Sequence, residues 1–358
     1  MSEHETDHGV GSEPGSGMIA DIAEQPAIYE NLLTDRAEVS RIAAEIARRR
    51  PRHVLFTARG TSDHAALYGT YLTEIRLGIP AGLVSPSTIT VYGARPDLRD
   101  CLVVGVSQSG GSPDLGEVVR VARERGATTL AITNAPDSPL AQVAELSLDV
   151  RAGTERAVAA TKTYTAELLT LLLLVEGWRG DGPVDPDELR ALAALPAHAA
   201  TVLADPTPTA IADRYRFAER VVTTGRGYAY ATAREAALKL METSYLAALA
   251  FSGADLLHGP LAMTDADVPV LAVVGSGPAG EAMQDVLARL RERRADLVVV
   301  GPQPSAPVAA QLRTPAVDER HAPLLDILGL QRLALALALA RGENPDTPRG
   351  LRKVTATR

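Results

Sequence analysis

Cysteine is almost missing from this chain of 358 residues: Cys101 is the only one. That excludes an intrachain disulfide and any cysteine-based metal site. Cys101 opens an apolar run, so a buried structural thiol is expected there. Aromatic residues are scarce at 4%, which leaves alanine and leucine to fill the core and favours helix-rich packing. A basic excess is lacking as well. The 36 Lys and Arg against 44 Asp and Glu give a formal charge of −8, unsuited to a nucleic-acid footprint. Apolar runs such as 171–175 and 333–340 are far too short to span a bilayer. The N-terminus shows no secretory pattern. Metal-ligand spacing and a Walker-type loop are both absent. Together these absences predict a soluble, cytoplasmic protein with no cofactor, metal, nucleic acid or membrane to bind.

What is present is a regular alternation of strand and helix. Residues 1–18 are acidic and rich in Gly and Ser, and are expected to be a disordered tail. Amphipathic helical patterns follow over 19–33 and 37–49. Strands are expected at 54–57, 101–106, 128–133 and 146–150, and helices at 114–125 and 162–178. Such alternation implies parallel βαβ units. A helical segment over 186–204 lies between breaks at Gly180 and Pro206. Beyond it the pattern repeats: 56–67 resembles 222–233, and 102–133 resembles 269–300. The expected architecture is α/β, with two similar halves, each a doubly wound parallel sheet flanked by helices. The division expected is 1–18, 19–205, 206–342 and a tail 343–358.

The halves differ where chemistry is expected. After the strand ending near Val106 come Ser107, Gln108, Ser109, Gly110, Gly111 and Ser112. Pro113 and Asp114 then open a helix. Free backbone N–H groups, hydroxyls and a helix N-terminus surround one small volume there, which suits a phosphate monoester. Gly60, Thr61 and Ser62 end another strand, and ligands of open parallel sheets sit at such carboxyl ends. The equivalent loop of the second half, 275–278, has only one hydroxyl, Ser276. The phosphate site is therefore expected in the first half alone. On the second half Glu235, Lys239 and Glu242 share a helix face by spacing. Glu242 precedes an apolar stretch, so its carboxylate is expected to be buried and base-like. His258 stands on a turn before Gly259 and Pro260.

Taken together, these segments resemble the sugar isomerase (SIS) family, and within it the isomerase part of glucosamine-6-phosphate synthases. The marks are residues 60–62, 107–110, 155–163, 237–242, 258–261 and the tail ending in Lys353. The resemblance implies that Ser62, Ser107, Gln108, Ser109 and Ser112 bind a sugar phosphate and that the backbone of Val158 touches the sugar. It implies Glu242 as the base between C1 and C2, Lys239 as its charge partner and Lys353 on a closing tail. It implies that His258 assists ring opening from the partner subunit of a homodimer. Met241, Asp255 and Leu257 depart from the family, which usually has Lys, Glu and Lys there. A glutaminase domain is not expected.

The reaction this implies is conversion of glucosamine 6-phosphate into fructose 6-phosphate and ammonia. Two rivals stay open: elimination of water from N-acetylglucosamine 6-phosphate, which would make the protein a lyase, and passive sensing of a sugar phosphate. A deglycase is a further variant of the same chemistry.

Overall fold

A computed structural model describes residues 13–302 and 308–353. Strands β1 (His53–Thr57), β2 (Ala81–Leu83), β3 (Cys101–Ser107), β4 (Thr128–Thr133) and β5 (Leu146–Asp149) form one parallel sheet in the order β2-β1-β3-β4-β5. Strands β6 (Arg220–Gly225), β7 (Ala247–Ser252), β8 (Pro269–Val273), β9 (Asp296–Gly301) and β10 (Ala310–Arg313) form a second, ordered β10-β9-β8-β6-β7. Read from its other edge, the second sheet has the winding of the first. The internal repeat seen in the sequence is a repeat of topology.

Helices α1 (Ser16–Ala23), α2 (Gln25–Thr34) and α3 (Ala37–Arg49) precede the first sheet. Within it come α4 (Thr61–Leu72), α5 (Pro86–Thr90), α6 (Pro113–Glu124) and α7 (Pro139–Val143), followed by α8 (Lys162–Arg179). Helices α9 (Pro186–Leu192), α10 (Leu195–Ala204) and α11 (Thr207–Tyr215) lead to the second sheet. Its own helices are α12 (Tyr228–Ser244), α13 (Gly253–Leu257), α14 (Pro278–Glu292) and α15 (Ala322–Ala340).

Period-two alternation sends successive side chains of each strand to opposite faces. Leu102, Val104 and Val106 of β3 join the large shared core, while Val103 packs beneath α6 with Ala122. In β8, Leu271 and Val273 enter the shared core, and Val270 and Ala272 pack with Met283 and Leu287 of α14. One apolar core therefore joins the inner faces of both sheets through α8, α12 and α15. Helix α15 is long and apolar enough to cross a membrane, but 83% of its apolar window is buried inside the protein, as in a core helix.

Several local expectations need correction. Residues 13–18 belong to an ordered segment: α1 starts at Ser16, and Met18 is fully buried. Residues 1–12 lie outside the described part. The single helix expected over 19–33 is two, because Pro26 occupies the first turn of α2 and restarts the helix. The segment 186–204 likewise divides, with Pro196 in the first turn of α10. Cys101 is half-buried rather than buried. It is the first residue of β3, at the amino edge of the sheet, and full burial begins only at Leu102. Burial still pushes its thiol pKa up. The short edge strand β2 has no signal of its own and is held by pairing with β1.

Candidate active site

The connections of the first sheet run to opposite sides from β1 and β3, so the crevice lies at their carboxyl ends. A cavity of ≈ 270 Å³ opens there. Ser62, Ser107, Gln108, Ser109, Ser112 and Val158 all line it, as do Glu242 and Lys353. Eight of the ten residues singled out from the sequence thus surround one space. The other two behave differently and are described below.

The serine loop is shaped to offer protons. Gly110 holds φ +58°, and a Cβ on it would meet Ser138 Oγ at 2.0 Å, so the turn requires glycine. Ser107 Oγ accepts from the N–H of Gly110 at 3.1 Å, and Ser109 Oγ accepts from the N–H of Gly111 at 3.2 Å. Each hydroxyl thereby keeps its own proton to donate. Ser112 caps α6 by backbone geometry without a side-chain cap bond. Arg59, which the sequence reading passed over, also lines the cavity and pairs with buried Asp114 at 2.8 Å.

Helix α12 carries the second group. Gly227, its N-cap, has φ 58° and ψ −133°, against φ 56° and ψ −130° for Gly60 before α4. The two half-repeats thus enter their helices through the same strained glycine turn. The spacing of Glu235, Lys239 and Glu242 does place them on one face, and that face is not solvated: Glu235 and Lys239 are fully buried. Lys239 Nζ donates to Glu242 at 2.6 Å and to Thr61 Oγ1 at 3.0 Å, and lies 3.3 Å from Glu235. Burial pulls the Lys239 pKa down, but Glu235 and Glu242 outweigh it and the net shift is upward. It is therefore a fixed cation. Glu235 also accepts from Thr61 at 3.1 Å and contacts His64 Nδ1 at 2.7 Å. These two partners come from α4, so the cluster ties the halves together. The expected burial of Glu242 is not found. Its side chain keeps 22% exposure, because α12 ends two residues later and its last turn opens on the cavity.

The wall between these groups is α8 and the loop before it. Glu155 accepts from the N–H groups of Thr161, Lys162 and Thr163 at 2.8, 3.2 and 2.9 Å. It holds the loop that presents Val158 and Ala160. Glu167, on α8, lines the cavity while fully buried. Its Oε1 accepts from Ser62 at 2.8 Å, and its Oε2 has no partner. Burial is the main cause that raises its pKa to about 8. No sequence signal marked it, since it sits in the helical run 162–178 as one charge among apolar neighbours.

The tail is tied down. Asp346 accepts from the N–H groups of Gly17 and Met18 at 2.9 and 2.8 Å, and Tyr245 OH accepts from the N–H of Arg349 at 2.7 Å. Its last described residues, Leu351, Arg352 and Lys353, line the cavity. Lys353 Nζ donates to the carbonyl of Ala157. Desolvation lowers its pKa, opposed by Glu155 and Asp21. His258 is exposed, at the end of α13, and is not among the lining residues of its own chain.

The corresponding place in the second half is filled. The N–H groups of Ala279 and Gly280, which open α14, donate to Glu319 Oε1 at 3.0 and 3.2 Å. A carboxylate of the chain occupies the cradle that the first half leaves open. Among the described residues, no group of three or more His, Cys, Asp or Glu is placed to hold a metal.

The chain is similar to known proteins. The SIS domain pattern matches residues 48–177 and again 215–341. Glutamine–fructose-6-phosphate aminotransferase (isomerizing) of Gloeobacter violaceus is 35% identical over 358 residues, covering 94% of this chain and 58% of that protein. The Escherichia coli K12 protein of the same name is 34% identical with the same coverage, 94% and 58%. The chain thus spans 58% of the length of these curated relatives. The C-terminal domain of the Francisella tularensis glucosamine-fructose-6-phosphate aminotransferase superposes with a TM-score of 0.84 at 26% identity, covering 96% of this chain and 100% of that one. A structure from Silicibacter pomeroyi DSS-3, described as a candidate phosphosugar isomerase, gives 0.82 at 33% identity, covering 92% and 99%.

Proposed function

We propose, from the premise that this chain belongs to the SIS domain family, that it is a sugar-phosphate isomerase acting on a hexosamine 6-phosphate. The observation that carries this reading is the distribution of groups around one cavity. Proton-donating serines and the loop that opens α6 line it, and so does Glu242, which is held by the buried cation Lys239. The loop anchors the phosphate by donated hydrogen bonds. Glu242, reaching the open-chain sugar, takes the proton from C2 and returns it to C1. Lys239 and Lys353 offset the negative charge that develops on the enediol-type intermediate.

For glucosamine 6-phosphate, moving the C2 proton to C1 turns the C2 amine into an imine. Water then adds, ammonia leaves, and fructose 6-phosphate is the product. We assign the exposed His258 to ring opening in a second copy of the chain, which makes the working unit a homodimer. The names of the aminotransferase relatives and the Silicibacter chain support the substrate class, sugar phosphates.

The test is exchange of the C2 proton with deuterated water, alongside ammonia release, over a panel of hexosamine 6-phosphates. Glu242→Gln should lower exchange by about 10²–10⁴-fold while leaving phosphate affinity in place. Exchange without ammonia but with loss of water would move the assignment to a lyase. Binding without any exchange would make the protein a sensor.

A further inference from the structure

Two carboxylates line the cavity, Glu242 and Glu167, and the proposed reaction uses only the first. Glu167 has features that helix packing does not explain. It is fully buried, it lines the cavity, and its single hydrogen-bond partner among the described residues is Ser62. Oε2 is buried with no partner at all. Among the described residues no cation is paired with it. Lys239 is committed to Glu242, Thr61 and Glu235, and Lys162 to Asp21 and Glu24. The ionisable groups that bear on its charge are acidic: Glu235 from α12, itself held by Lys239, Thr61 and His64, and Glu155 from the loop ahead of α8; Arg59, Arg352 and Lys353 line the same cavity without pairing with it. Tyr164 is its neighbour on α8.

Three of the four cradle serines differ in one respect. Ser107 and Ser109 accept a backbone N–H and keep their protons for a ligand. Ser62 gives its proton to Glu167. A hydroxyl has one proton. While Glu167 is a carboxylate, Ser62 turns lone pairs toward the space where phosphate oxygens would lie, and a buried negative charge stands behind it.

We propose that Glu167 is a positioning residue that makes phosphate binding proton-coupled. As a neutral acid it donates its proton to Ser62 Oγ, and the Ser62 hydroxyl turns its own proton to the phosphate. The inference rests on the reading of this cavity as a sugar-phosphate site. One proton is taken from solvent when the phosphate binds an ionised Glu167, and it returns on release, so no other reactant is needed. The pKa raised to about 8, first by burial and further by Glu235 and Glu155 against the Ser62 hydrogen bond, places the change just above neutrality. A phosphate monoester has its second pKa near 6 (about two units lower), so above pH ~7.5 the ligand itself does not titrate.

The experiment is calorimetric titration of the full chain with fructose 6-phosphate, which has no amine, between about pH 7.5 and pH 9.5. Pairs of buffers with different ionisation heats report proton uptake. The wild type should take up about half a proton per ligand near pH 8 and close to one above about pH 9, where its Kd should rise about tenfold per pH unit. Glu167→Gln keeps shape and donor, and should bind with no uptake and a flat Kd. Ser62→Ala leaves the acid in place. It should bind roughly tenfold more weakly and lose the uptake. Equal uptake in wild type and Glu167→Gln, or wild-type binding with no uptake and a flat Kd, overturns the proposal and leaves the site reading intact. If the wild type binds no fructose 6-phosphate at any pH, the site reading falls and the proposal with it.

Discussion

In the first half the loop that opens α6 lines a cavity, whereas in the second the N–H groups that open α14 end on Glu319. The strands beneath are wound alike, and the glycine turns before α4 and α12 agree within a few degrees. The difference therefore lies in side chains. Ser107, Ser109 and Ser112 occupy one loop, while Gly275, Gly277 and a single Ser276 occupy the other. A helix N-terminus attracts negative charge in either case. One half leaves that charge to come from a ligand, and the other supplies it from its own chain. Having given up an anion site, the second half contributes α12 and with it Glu242.

The widest gap between the halves should appear in binding. Ser107→Ala with Ser109→Ala should weaken fructose 6-phosphate by about 10²-fold or more, at ~1.5–3 kcal/mol per hydrogen bond to a charged group. Ser276→Ala, its counterpart, should leave Kd unchanged in the same titration. An equal loss from Ser276→Ala would break the comparison.

A second contrast concerns buried acids early in each half's last helix. Glu167 of α8 faces the cavity, whereas Asp326 of α15 accepts from Thr314 at 2.8 Å and leaves Oδ2 unpartnered. Burial raises the Asp326 pKa to about 7. Because the folded value lies above the unfolded one, the folded state holds the proton longer. Stability is then full in acid and is lost as pH rises toward 7. Asp326→Asn should reduce that slope, by a difference of order a few kcal/mol, in denaturant melts run across this pH range, with the share of Glu167 left in place. An unchanged slope would mean that Asp326 is ionised in the fold.

The smallest effect belongs to Glu319. Glu319→Ala frees the N–H groups of Ala279 and Gly280 and should cost about 1 kcal/mol, as loss of a helix cap does. Millimolar phosphate should return part of that stability in thermal melts of the variant and have less effect at this place in the wild type. No response to phosphate would mean that backbone alone, without the serines, does not make an anion cradle.

Much of this was legible from the chain. Strand β4 and helix α3 fall where the apolar periodicity placed them, because a two- or 3.6-residue period survives any tertiary context that buries one face. The serine loop was visible because glycine and hydroxyl residues cluster only where a turn or ligand requires them. The spacing of Glu235, Lys239 and Glu242 placed them on one face, though it said nothing of the full burial of Glu235 and Lys239. Glu167, Arg59 and Glu319 were not legible. None has its partner nearby in the chain, so no local pattern marks it. For His258, its place on a turn was readable from its neighbours, while its absence from the lining of its own chain's cavity agrees with what only the resemblance implied.

The sequence by itself determined the repeated strand, turn and helix units, the glycine turns that open α4 and α12, and which half carries the hydroxyl loop. These follow from local periodicity, backbone sterics and residue chemistry, which act within a few residues. The tertiary structure alone decided what meets across the chain. Ser62 of α4 meets Glu167 of α8, Thr61 meets Lys239 of α12, and the N-terminal turn of α14 meets Glu319. The partners in these pairs lie 40 to 178 residues apart. They are joined by the packing of two sheets on one core, and no local pattern carries that information.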